Sequence, residues 1–223
     1  MSQSFDCQDE ANRAEGIAAA QVALADRQCV VIPTDTVYGI GADAFSPQAV
    51  ATLLAAKGRG RQMPPPVLIP RPGTLDGLAA DVPDGARALA ERFWPGPLTL
   101  ILLAQPSLTW DLGETRGTVA LRMPDDPVAL ELLNATGPLA VSSANRTGVP
   151  TGPTAADARE QLADSVAVYL EDGQRPAGGG DALPSTIVDY TAQPPRVVRL
   201  GALSLEELQA VDPDVSLPAP DEA

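Results

Sequence analysis

Three segments of this chain combine residue types that could do chemistry. Residues 33–41 read Pro-Thr-Asp-Thr-Val-Tyr-Gly-Ile-Gly. Two hydroxyls (Thr34 and Thr36), the Asp35 carboxylate and the Tyr38 phenol follow the apolar run Cys29-Val30-Val31-Ile32. In open α/β sheets small polar ligands bind beyond the carboxyl ends of strands. The same residues also suit an Asx/ST-type turn that satisfies its own backbone. The second segment is Lys57-Gly58-Arg59-Gly60-Arg61, three cations in five residues, including the only lysine. Cations at the end of a helix complement its dipole. Three like charges in a glycine-rich stretch also repel, and a bound triphosphate or carboxylate would relieve that. Such charge-assisted contacts are worth roughly 1.5–3 kcal/mol each. The third segment is Val141-Ser142-Ser143-Ala144-Asn145 with the loop to Thr154. Its hydroxyls and amide suit phosphate oxygens or base edges, or a plain strand–loop–helix turn. Arg122 and Arg199 each close an apolar strand-like run, where a guanidinium is either ion-paired or aimed at an anion.

Composition narrows the chemistry. The 223 residues contain no histidine, so a Ser-His-Asp triad, a Cys-His pair and a histidine zinc site are excluded. Ser143 therefore lacks a base to activate it as a nucleophile. Two cysteines, Cys7 and Cys29, are too few for a disulfide framework or a four-cysteine metal site, and read as reduced thiols. Acidic residues outnumber basic ones 29 to 15, a formal charge of −14. That disfavours broad nucleic-acid binding but leaves room for one local basic pocket. No apolar run is long enough for a membrane span, and the N-terminus lacks the pattern of a secretory signal. The expected location is the cytoplasm, without membrane partners.

The elements that must position these residues are legible in the periodicity. Residues 9–27 have helical spacing, and 29–32 form a strand apolar on both faces. Ser46 and Pro47 open a helix ending at Lys57, with Gly58 as its stop. Further strands are expected at 67–69, 98–103, 118–122, 139–142, 166–170, 185–189 and 196–200. Helices are expected at 84–93, 126–137 and 154–164, and Ser204 with Glu207 makes a capping box for a last short one. Phe93-Trp94-Pro95-Gly96-Pro97 reads as a rigid packing turn, and Gly178-Gly179-Gly180 as a hinge or linker. Helices alternating with apolar strands predict an α/β domain with helices layered on a mixed sheet, over residues 1–209. Residues 210–223, acidic and proline-rich, are expected to be disordered, so their removal should leave activity and melting temperature unchanged.

The segments PTDTVYGIGADA, KGRGR, FWPGPLTL, VALRMP, VSSANRTGVPTGPT, STIVD and RVVRLG occur in that order. Together they closely resemble the YrdC-like family, the threonylcarbamoyladenylate synthases of tRNA modification, over roughly residues 12–205. The resemblance implies a three-layer α/β domain around a mixed, twisted sheet, in a short single-domain form. It implies an enzyme, a nucleotidyltransferase, that makes L-threonylcarbamoyladenylate from L-threonine, bicarbonate or CO2, and ATP, releasing pyrophosphate. Mg2+ would accompany ATP. Separate transferase proteins would pass the threonylcarbamoyl group to adenosine 37 of tRNAs reading codons that start with A, with tRNA meeting this chain only indirectly or weakly. Carried over by motif, Lys57 and Arg59 are catalytic, facing bicarbonate and the phosphates. Thr36, Arg122, Ser185 and Thr186 hold threonine. Arg59, Thr118, Ser143, Thr151 and Arg199 contact ATP, and Asn145 supports that loop. The chain departs from the family at Gly60, where many members have proline, and at Met63 and Leu68, where many have polar residues. Arg61 is the expected substitute donor to ATP. Two other readings are a non-catalytic RNA-binding module of the same fold and a related ATP-dependent carbamoyl-transfer enzyme.

Overall fold

The computed structural model describes residues 2–177, 179–180 and 183–218. Its elements are β1 Gln3–Asp6, α1 Glu10–Ala25, β2 Val30–Ile32, β3 Gly39–Asp43, α2 Pro47–Lys57, β4 Val67–Leu68, α3 Leu75–Leu78 and α4 Asp84–Phe93. Then follow β5 Leu98–Leu103, β6 Thr118–Arg122, α5 Pro127–Thr136, β7 Leu139–Ser143, α6 Ala155–Leu162, β8 Val168–Glu171, β9 Thr186–Asp189, β10 Arg196–Arg199 and α7 Leu205–Gln209. Among the described residues the ten strands form one mixed sheet, ordered β1-β8-β2-β3-β7-β4-β6-β5-β9-β10. This is the α/β architecture the periodicity predicts.

Caps define the helices as expected. The Ser46 side chain accepts from Ala49 N, Pro47 sits in the first turn, and Gly58 ends α2 at φ 64°. A left-handed residue there costs glycine nothing. Thr154 and Ser204 each make a capping box, with Asp157 and Glu207.

Strand alternation sends side chains to two cores. Val31, Ile40, Leu100 and Leu121 pack on one face with residues of α2, α3, α4, α6 and α7. Val30, Ile32, Leu68 and Val141 pack on the other with α1 and α5. That second core contains no residue of β5, β6, β9 or β10. Among the described residues half of one sheet face is thus without a helical cover.

One strand is unread in the sequence, and two readings are corrected. Gln3–Asp6 is an edge strand parallel to β8; it is mostly exposed, so no apolar pattern marks it. Gly39 and Gly41, which end the candidate segment 33–41, lie instead in β3, antiparallel to both β2 and β7. Gly39 must be small, because a Cβ there would lie 2.6 Å from Val141 Cγ1. The expected disordered tail is packed through its first part. Val215 is fully buried, Val197 N donates to Ser216 O at 2.8 Å, and Tyr190 Oη donates to Asp212 Oδ2 at 2.5 Å. Residues 219–223 lie outside the described residues, as does Gly178 of the expected hinge.

Candidate active site

The uncovered half-face is the floor of a cavity of about 430 Å3, within the range of small-molecule sites. Its floor is a lateral row of strand residues. Leu68 is the register partner of Arg122, and Thr99 that of Ile187. The walls come from the loops around Thr34–Val37, Arg59–Pro66, Ser142–Thr151 and Pro184–Ser185, with Arg199 from β10. Among the described residues no carboxylate lines it.

Seven expected residues meet here: Thr36, Arg59, Arg122, Ser143, Thr151, Ser185 and Arg199. Arg122 is buried and held on three sides. Its Nη2 lies 2.5 Å from Asp35 Oδ1, its Nη1 donates to Thr36 Oγ1 at 3.1 Å, and its Nε donates to Gly96 O at 3.1 Å. Asp35 also accepts from Asp125 N at 3.0 Å. Thr34 Oγ1 donates to Val37 O at 2.6 Å, shaping the loop that carries Thr36.

Arg59 donates from Nη1 to Ser142 Oγ at 3.2 Å, and its Nε is buried without a partner among the described residues. A buried donor left unpaired is costly and points to an absent acceptor. Arg199 donates from Nε and Nη2 to Ser185 O at 3.1 and 2.7 Å, and from Nη2 to Ser185 Oγ at 3.1 Å. Ser185 Oγ is in turn 2.9 Å from Thr99 Oγ1. Desolvation, then Arg122 and Arg59, lower the Arg199 pKa; desolvation lowers that of Arg59. Three guanidiniums thus face one cavity, and among the described residues only Arg122 has a carboxylate partner there. An anion is the natural complement.

Five expected residues stand outside the lining. Lys57 is fully buried, and its ammonium donates to Ser143 O at 2.5 Å, Asn145 O at 2.6 Å and Asn145 Oδ1 at 3.1 Å. These three acceptors use its three donors. Burial and the neighbouring Arg59 push its pKa down to about 8. It ties the Ser143–Asn145 turn from behind. Asn145 supports the same turn: its Oδ1 also accepts from Ser143 Oγ at 2.5 Å, and its Nδ2 donates to Val149 O at 2.5 Å. Arg61 is exposed and pairs with Asp111 at 2.7 and 3.0 Å, so the expected substitute donor is engaged elsewhere. Thr118 lies at the opposite end of β6 from Arg122, its hydroxyl on Thr115 O at 2.8 Å. Thr186 is fully buried. Its hydroxyl donates to Leu203 O at 2.8 Å and accepts from Gly201 N and Leu203 N at 2.9 Å, which fixes the loop beyond Arg199.

The sequence reading missed Ser142 as the partner of Arg59, and Thr99 on the floor. Thr99 had a signal: a lone hydroxyl within Leu98–Leu103, facing the other way from buried Leu98 and Leu100. Ser142 had none that distinguishes it from Ser143.

Comparison with known proteins agrees with this architecture. A family model for Sua5, YciO and YrdC proteins, described as telomere recombination, matches residues 22–201. A Mycobacterium tuberculosis protein, provisionally named threonylcarbamoyl-AMP synthase, is 54% identical over 211 residues, covering 95% of both chains. The Bacillus subtilis threonylcarbamoyl-AMP synthase is 38% identical over 87% of this chain and 56% of its own. The crystal structure of Pyrococcus abyssi Sua5 complexed with L-threonine superposes with a TM-score of 0.86 at 31% identity. That match covers 98% of this chain and 62% of the Sua5 chain, so this chain spans less than two thirds of it. By the matched family model and these identities, the chain belongs to the Sua5/YciO/YrdC family.

Proposed function

We propose that this chain synthesises L-threonylcarbamoyladenylate from L-threonine, bicarbonate or CO2, and ATP, with release of pyrophosphate. The observation that carries the reading is the cavity ringed by Arg59, Arg122 and Arg199, with no lining carboxylate among the described residues. The names of the relatives support it.

In this reading Thr36 and Arg122 hold threonine. Asp35, Thr36 and the Gly96 carbonyl take three of the five Arg122 N–H donors and fix its plane, leaving two for the ligand. Arg59, Ser143, Thr151 and Arg199 line the polyphosphate side. The threonine amine attacks CO2 carbon and loses a proton, giving a carbamate. A carbamate oxygen then attacks the α-phosphorus, forming a new P–O bond. The bond between the α-phosphorus and its bridging oxygen breaks, and pyrophosphate leaves with the electron pair. Such transfers rest on positioning and charge stabilisation, which guanidiniums supply without a histidine. The positively charged wall neutralises the growing charge on the leaving pyrophosphate.

Mg2+ is expected to enter on the ATP phosphates. Among the described residues no group of three or more acidic or cysteine side chains could hold a metal ion. Phosphate oxygens and water would therefore provide its ligands, and no step above is assigned to it. Transfer of the threonylcarbamoyl group to adenosine 37 of tRNA falls to separate cytoplasmic proteins in this reading. The charge of −14 supports such a hand-off over direct tRNA binding.

Mass spectrometry of products made from ATP, bicarbonate and threonine, serine or no amino acid tests the reading. The expected result is a threonylcarbamoyladenylate ion and pyrophosphate that both require threonine. Salt-sensitive tRNA binding with no such product would favour the RNA-binding module instead.

A further inference from the structure

Arg175 lies outside the cavity yet is buried, at 6% exposure. Its guanidinium reaches two carboxylates. Nη2 is 2.8 Å from Asp126 Oδ2 and also pairs with Asp172. Nη1 donates to Asp172 O at 2.5 Å and Gln174 O at 3.2 Å, and the group lies 5.8 Å from the centre of the Tyr38 ring. Its backbone N donates to Pro153 O at 2.8 Å.

Three of these partners, Asp126, Tyr38 and Pro153, lie within a few residues of different lining segments of the cavity. Asp126 caps α5, four residues after Arg122. Tyr38 stands between the lining residues Val37 and Gly39. Its hydroxyl donates to Gly173 O at 2.7 Å and accepts from Asp172 N at 2.9 Å, and its carbonyl accepts from Ala144 N at 2.8 Å. Pro153 follows Thr151, another lining residue. The guanidinium thus holds the segment after Arg122, and with the Tyr38 phenol it pins residues 172–175, whose Arg175 backbone N reaches the Thr151 loop, while the Tyr38 carbonyl holds the Ser143 turn.

We propose that Arg175, acting through Tyr38, Asp126 and Pro153, is a positioning residue that sets the nucleotide side of the cavity. The proposal rests on the synthase reading above. It differs from a purely stabilising role in a measurable way. A destabilised protein loses active molecules, so apparent kcat falls while KM stays constant. A displaced Thr151 loop weakens the grip on ATP, so KM rises in molecules that remain folded.

The test is steady-state synthesis by Arg175→Lys, which keeps a charge but loses the planar fork that serves several acceptors at once. The expected result is an ATP KM raised about tenfold, or about 1.4 kcal/mol, with kcat at saturating ATP within about threefold. Asp126→Asn, which retains a good N-cap, should raise KM in the same way, and the double variant should be no worse than Arg175→Lys alone. If Arg175→Lys does not fold, Tyr38→Phe carries the test, with KM for ATP expected to rise about threefold. An unchanged ATP KM in a folded variant overturns the proposal. If the wild-type protein makes no threonylcarbamoyladenylate, the synthase reading fails instead, and direct titration of ATP onto the same variants decides the positioning role.

Discussion

Arg59→Ala is expected to lower turnover by at least about a hundredfold, the scale for losing one preorganised charge-stabilising group. The reason is the mismatch in the protein alone. Among the described residues Arg59 has a single side-chain partner, Ser142, and a buried Nε with none. Such a donor set is built for a ligand rather than for the fold, so the loss should fall on the reaction. Arg61→Ala provides the contrast two residues away. Its side chain is 56% exposed and paired with Asp111. An exposed pair is worth about 0–1 kcal/mol, so turnover should change by no more than about fivefold. Pyrophosphate release under saturating substrates measures both. Near-normal turnover in Arg59→Ala would remove its assigned role, and a large loss in Arg61→Ala would return that residue to the phosphate site.

Removing residues 210–223 should destabilise the protein, contrary to what their composition suggests. Val215 is fully buried and Asp212 accepts from the Tyr190 phenol. Exposing one valine-sized side chain and losing one or two hydrogen bonds costs about 3 kcal/mol. For a chain of this size that lowers the melting temperature by about 6–12 °C. Differential scanning calorimetry would show it. A melting temperature unchanged within a degree would mean that this segment contributes nothing to the packed core.

What the sequence made legible, and what it hid, follows from how each signal arises. Helices α2, α5 and α6 were readable because caps and apolar spacing are local. Buried strands such as β5 were readable because both of their faces lack charge. β1 was hidden because its pairing with β8 leaves it exposed, and β3 because its glycines serve close packing against Val141 rather than a loop. The tail misled because Pro and Asp dominate its composition, while the single Val215 that anchors it does not stand out. At the site, residue types indicated an anion and the motif order indicated the family. Which member of a motif faces the cavity depends on tertiary pairing. Arg59 and Arg61 differ by two residues, yet Asp111, fifty residues on, removes one of them from the wall.

The enclosure of the solitary lysine gives the protein a built-in reporter. An acylating reagent selective for primary amines has only one side chain to modify, and its nitrogen is sealed behind the Ser143–Asn145 turn. Labelling at Lys57, followed by peptide mapping over time, would therefore clock how often that turn swings open. Nucleotide that clamps the turn shut should slow the clock, which converts occupancy into a rate readable without any turnover.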